Sequence, residues 1–203
     1  MAMTNNQRTA RTYSGAVVLT CVVAATYLLT TGIDDRSIDF ALRVSGRVAF
    51  AVLIVVFVAR PLQQLLKAPW TAKLLRNRRQ LGVAFAGIHT AHLGLILMRV
   101  NHVEGFETAD VVNLYGSFVY AIILVMLITS FDGPARAIGR KGWKGLHKTG
   151  LFVLFGGFLS SQLPKSLDQL DFANGVLVAL AAVALVIRIT AFLVRYRAKG
   201  QPQ

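Results

Sequence analysis

Apolar residues fall along this chain in long runs separated by short polar stretches. Six runs stand out, from about Ser14 to Thr31, Val44 to Pro61, Leu81 to Asn101, Val111 to Ser130, Leu146 to Leu163 and Phe172 to Val194. A helix crossing a bilayer needs about 20 predominantly apolar residues at about 1.5 Å rise each, and every run is close to that length. None alternates apolar and polar residues in the manner of a barrel strand. The pattern predicts an all-α polytopic membrane protein, a six-transmembrane-helix bundle. Pro61, followed by Gln63 and Gln64, is expected to mark the exit of the second span. Asp132-Gly133-Pro134 is expected to close the fourth, and Pro164 the fifth.

The polar stretches alternate in charge. Arg8 and Arg11 precede the first run. Arg60, Lys67, Lys73, Arg76, Arg78 and Arg79 lie between the second and third, Arg136, Arg140, Lys141, Lys144 and Lys148 between the fourth and fifth, and Arg188, Arg195, Arg197 and Lys199 at the end. These regions hold 17 of the 22 basic residues and a single acid, Asp132, of the nine. Lys and Arg resist translocation, so the basic side is expected to be cytoplasmic. Six spans with cytoplasmic N- and C-termini satisfy this pattern at every connection. The expected organisation is a cytoplasmic segment at 1–13, a transmembrane domain at 14–196 and a cytoplasmic tail at 197–203. The first run is read as a retained helix rather than a cleaved signal, because no clear small-x-small site precedes Thr30-Thr31-Gly32.

Composition agrees. Of 203 residues, 55% are hydrophobic and 15% charged, and the mean hydropathy is +0.56, too apolar for disorder. The net charge of +13 first suggests a nucleic-acid partner. Its distribution between apolar runs assigns it to membrane topology instead, with the lipid bilayer as partner and no nucleic acid. One cysteine, Cys21, excludes an internal disulfide and a cysteine-built zinc or iron–sulfur site.

Polar side chains in hydrocarbon are costly, so intramembrane histidines are functional candidates. His89 and His92 sit three apart in the third run and share a face. His102 lies at that run's outer end and reads as interfacial, and His147 opens the fifth run. Two readings stand. Histidines from the third and fifth helices clamp a haem iron, as facing helices of a bundle commonly do, or each bonds a neighbouring hydroxyl or carbonyl. Arg99 is seven residues beyond His92, on the same face and about 10 Å further out. Arg47 and Arg99 are candidates to hold haem propionates, since guanidinium pairs carboxylate bidentately. Arg43 can instead form a surface pair with Asp39, and Arg188 is expected to snorkel to the interface.

The stretches Ser45-Gly46-Arg47-Val48-Ala49 through Ala59-Arg60-Pro61-Leu62, Arg78-Arg79-Gln80-Leu81-Gly82 with His92, and Leu127-Ile128-Thr129-Ser130 leading to Gly142-Trp143-Lys144-Gly145-Leu146-His147-Lys148 resemble the ferric-reductase-like transmembrane domain family. The likeness is strongest to the branch of haem-binding membrane subunits of bacterial methionine sulfoxide reductase systems. It implies a haem b bundle in a bacterial inner membrane, with His92 and His147 as iron ligands and His89 as a substitute for His92. The family's second fifth-helix histidine would fall thirteen residues after His147, where this chain has Ser160. The resemblance implies an electron-transfer subunit, part of an oxidoreductase, without a flavin or nicotinamide domain of its own. Electrons would arrive from a membrane donor, a flavin or a quinone, and leave to an extracytoplasmic reductase. The acidic Glu104–Asp110 loop reads either as a solvated loop or as the place where that partner docks. The alternative is a degenerate, haem-free member acting as a membrane scaffold or assembly partner.

Overall fold

The computed structural model describes residues 3–102, 114–168 and 172–199. All its regular structure is helical: α1 (Asn5–Thr31), α2 (Asp35–Leu66), α3 (Pro69–His102), α4 (Leu114–Ile128), α5 (Asp132–Ala137), α6 (Gly139–Asp168) and α7 (Phe172–Lys199). Among the described residues, α1, α2, α3 and α7 are long and apolar enough to cross a membrane, and α4 is a shorter apolar helix. The Glu104–Asp110 loop lies outside the described residues, as does the side chain of His102.

Helix starts follow local chemistry. Thr4 and Gln7 form a capping box on α1, which satisfies two backbone donors reciprocally. Asp34 caps α2, accepting from the Ser37 N–H at 2.7 Å. That bond holds the Asp34 carboxyl below its usual range.

Two expectations about helix ends are corrected. Pro61 and Pro164 lie inside α2 and α6, not at their ends. A proline removes the bond to the carbonyl four residues earlier, so α2 runs on only if Phe57 O finds another donor. Arg188 on α7 supplies it, donating from Nη1 at 2.9 Å. The guanidinium sits in the corner formed by the Phe57 and Phe152 rings, which meet edge-to-face, 4.2 and 4.3 Å from their centroids. Arg188 therefore points into the bundle rather than out to the interface.

α2 is the central helix, packing against α1, α3, α6 and α7. Its fully buried Phe50 and Phe57 stack on Phe158 and Phe155 of α6, at 5.4 and 3.9 Å between centroids. Water does not drive helices together within lipid, so close fit carries the association. Gly87 of α3 shows this. A Cβ there would come within 2.8 Å of Ala16 Cβ and of Tyr13 O on α1.

Candidate functional site

Among the described residues, two of the cavities are lined by histidines, one towards the acidic loops and one towards the basic connections. The outer one, about 500 Å³, is lined by Asp39, Arg43, Gly46 and Arg47 of α2, His89 and His92 of α3, Tyr120 of α4, Phe158, Ser161 and Gln162 of α6, and Asn174 of α7, among others. The inner one, about 230 Å³, holds Arg78, Arg79, Phe85, Trp143 and His147 among mostly apolar side chains. Phe85 and Phe158, 5.9 Å apart between centroids, stand between them.

The two α3 histidines meet as their spacing predicts, with ring centroids 5.3 Å apart and nearly parallel. Their settings differ. His92 Nδ1 lies 2.8 Å from Ser45 Oγ. The single Ser45 hydroxyl proton is directed to Ala41 O at 2.8 Å. With that proton on Ala41 O, Ser45 accepts from His92 Nδ1–H and Nε2 carries the lone pair. His89 is 5% exposed, packed among Phe85, Tyr120 and Phe158, and its Nδ1 has no hydrogen-bond partner. The Tyr120 hydroxyl is likewise buried and without a partner. Buried polar atoms in native proteins are almost always satisfied, so these two point to a group that the cavity receives.

His147 has the opposite arrangement. Its Nε2 is 3.0 Å from Thr129 Oγ1, whose own proton goes to Val125 O at 2.7 Å. His147 thus donates from Nε2, the nitrogen that Thr129 occupies. Its ring stacks on Trp143 at 4.3 Å, and Trp143 Nε1 donates to Thr129 O at 2.8 Å. Arg79 reaches Ser130 O and pairs with Asp132 at 3.1 Å. Together these bonds serve the carbonyls and hydroxyl released where α4 ends. His147 precedes Phe158 by eleven residues, about 16 Å along α6, whereas the His89 ring lies 5.2 Å from Phe158. The structure thus brings His89 and His92 together and sets His147 in the other cavity.

The arginines divide in the same way. Arg47 lines the outer cavity and donates from Nε to Asn174 Oδ1 at 2.9 Å. Arg99 pairs with Asp39 at 2.8 Å and Asp35 at 3.1 Å, so its charge is already matched. With Asp39 directed to Arg99, Arg43 turns to the cavity. Sequence reasoning took Arg43 for a surface pair and passed over Tyr120 and Gln162. The i, i+4 relation of Arg43 to Arg47 was the available signal. Ser160 is exposed and bonds Gly157 O, while its neighbour Ser161 lines the cavity.

The sequence profile of the family described as ferric reductase like transmembrane component matches residues 45–158, more than half of the chain. The chain belongs to this family. The matched stretch contains His89, His92, His147, Arg47 and Arg99 and ends before Ser160. The protein-methionine-sulfoxide reductase heme-binding subunit MsrQ of Cronobacter sakazakii is 31% identical over 109 residues, covering 51% of this chain and 52% of that protein. The chain therefore matches about half the length of this curated relative. No solved structure matches it. Family and helices together make this ferric-reductase-like chain a multi-pass membrane protein.

Proposed function

We propose that this protein is an integral-membrane electron-transfer subunit carrying haem b in the outer cavity. One observation carries the reading. Two stacked imidazoles, one with its Nε2 lone pair set by Ser45, form a wall of a cavity that two arginines also line. A haem bound there supplies a one-electron carrier whose potential the surroundings set. His92 Nε2 would hold the haem iron, and His89 stands beside it on the same helix face. Arg43 and Arg47 would hold the propionates. Gly46 keeps the α2 wall low beside His92, since a Cβ would sit 3.6 Å from His92 Cε1. The aromatic partition of Phe85 and Phe158 keeps water from passing between the cavities.

The four long apolar helices, the apolar α4 and the apolar stretch of α6 support six spans. The charge distribution supports cytoplasmic termini in a bacterial inner membrane. The donor is a separate flavin or quinol carrier, and the acceptor is an extracytoplasmic reductase; the Cronobacter relative, the heme-binding subunit of a reductase, supports a reductase partner. A second reading, a haem-free scaffold, draws on α6, which faces the α3 histidines with Phe158, Ser161 and Gln162 and no imidazole.

Visible spectra of the detergent-purified protein, oxidised and dithionite-reduced, separate the two. The proposal expects a b-type spectrum that His92→Ala abolishes and His147→Ala retains. A colourless protein that takes up no added haem would overturn it in favour of the scaffold.

A further inference from the structure

Three arginines from three helices converge at the basic end of the bundle, away from the outer cavity. Arg78 of α3 donates from Nε to Val56 O at 3.1 Å, and Arg188 of α7 donates to the adjacent carbonyl, Phe57 O. Arg60 follows on α2 and, among the described residues, makes no hydrogen bond of its own. The three charges repel one another: Arg60 acts on Arg78, and both act on Arg188. Among the described residues none of the three has a carboxylate partner. The nearest ion pair at this end joins Arg79 to Asp132.

Like charges usually separate by side-chain rotation. Two of these cannot do so cheaply. Arg188 is held against the faces of two phenyl rings and by a carbonyl that Pro61 leaves without a helical donor. Arg78 is fixed at Nε, and among the described residues its two terminal nitrogens pair with no carboxylate. Fixed guanidinium groups with unused parallel donors suit a tetrahedral oxyanion. Near a bilayer surface, the abundant oxyanion is the lipid phosphate.

We infer that Arg60, Arg78 and Arg188 form a binding site for the headgroup phosphate of an anionic glycerophospholipid. Arg78 and Arg188 are positioned in advance, and Arg60 closes over the phosphate from the exposed side. The lipid neutralises the repulsion and joins α2, α3 and α7 at one end. The site is independent of the haem and requires only that the chain be embedded in a membrane.

The test follows thermal unfolding of the full chain in neutral detergent. Phosphatidylglycerol, phosphatidylcholine with the same acyl chains, or inorganic phosphate is titrated in. Phosphatidylglycerol is expected to raise the midpoint saturably, while phosphatidylcholine, whose choline cation the three guanidinium groups repel, and inorganic phosphate leave it unchanged. Arg60→Gln and Arg78→Gln should each weaken the apparent lipid affinity about tenfold, the effect of losing one charge-assisted bond. Arg60→Gln removes no bond within the protein, so it reads the site even if Arg78→Gln fails to fold. A paired Arg140→Gln, Lys141→Gln variant removes exposed charge at the same end and should keep the response. The inference falls if phosphatidylcholine or inorganic phosphate stabilises equally. It also falls if the Arg140, Lys141 variant loses as much response as Arg60→Gln, since diffuse surface charge would then account for it.

Discussion

Ser45 Oγ on α2 and His92 Nδ1 on α3 are 2.8 Å apart, and the serine proton is already given to Ala41 O. This relay fixes which imidazole nitrogen faces the cavity. Groups that hydrogen-bond the far nitrogen of a ligating histidine typically contribute about 10–100-fold in affinity. Ser45→Ala should therefore weaken haem binding by about that factor and shift the midpoint potential, while leaving the fold intact. Haem titration and a redox titration of the same variant check it. Ser45→Thr keeps the hydroxyl and should restore most of the affinity.

On α6, Ser161 lines the outer cavity while Ser160 is exposed and bonded to Gly157 O. A sixth ligand to the iron can come from α6 only through a cavity-facing side chain. Ser161→His is thus expected to move the reduced spectrum towards a six-coordinate form, whereas Ser160→His leaves it unchanged. A response from Ser160→His alone would mean that α6 is rotated relative to the arrangement described here.

The helical class, the four helices long and apolar enough to cross a membrane among the described residues, and the kinship of His89 with His92 were legible in the sequence because they depend on local periodicity and hydropathy. The prolines were misread for the same reason. Pro61 looks like a terminator until Arg188, 127 positions later, is seen to replace the missing donor. Which arginine faces the cavity also escaped sequence reasoning. Arg99 and Arg43 compete for Asp39, and only the packing of α2 against α3 decides between them. The separation of His147 from His92 needs the relative heights of two helices, which spacing within each helix does not fix.

Gly87 sets the approach of α1 to α3. An added methyl would meet Ala16 Cβ and Tyr13 O at 2.8 Å, and backbone does not yield as a side-chain tip does. Forcing extra volume into a fitted contact costs about 1–3 kcal/mol. Gly87→Leu should lower the thermal midpoint and break the Tyr13–Thr90 hydroxyl contact, now 3.0 Å. Gly82, with nothing near its Cβ position, serves as the control. Gly82→Ala should be neutral or stabilising, since alanine is the better helix former by about 1 kcal/mol.

Pro61 and Arg188 should be coupled. In the native chain, Arg188→Gln strands Phe57 O without its donor and is expected to cost about 1–3 kcal/mol. Pro61→Ala restores the helical N–H to that carbonyl, so the same arginine change should then cost less. Denaturation of the single and double variants in detergent gives the interaction energy directly. Additive effects would mean that Arg188 acts chiefly through its contact with the faces of Phe57 and Phe152, with the carbonyl bond secondary. A positive coupling would identify the arginine as the group that lets α2 continue through its proline to Leu66.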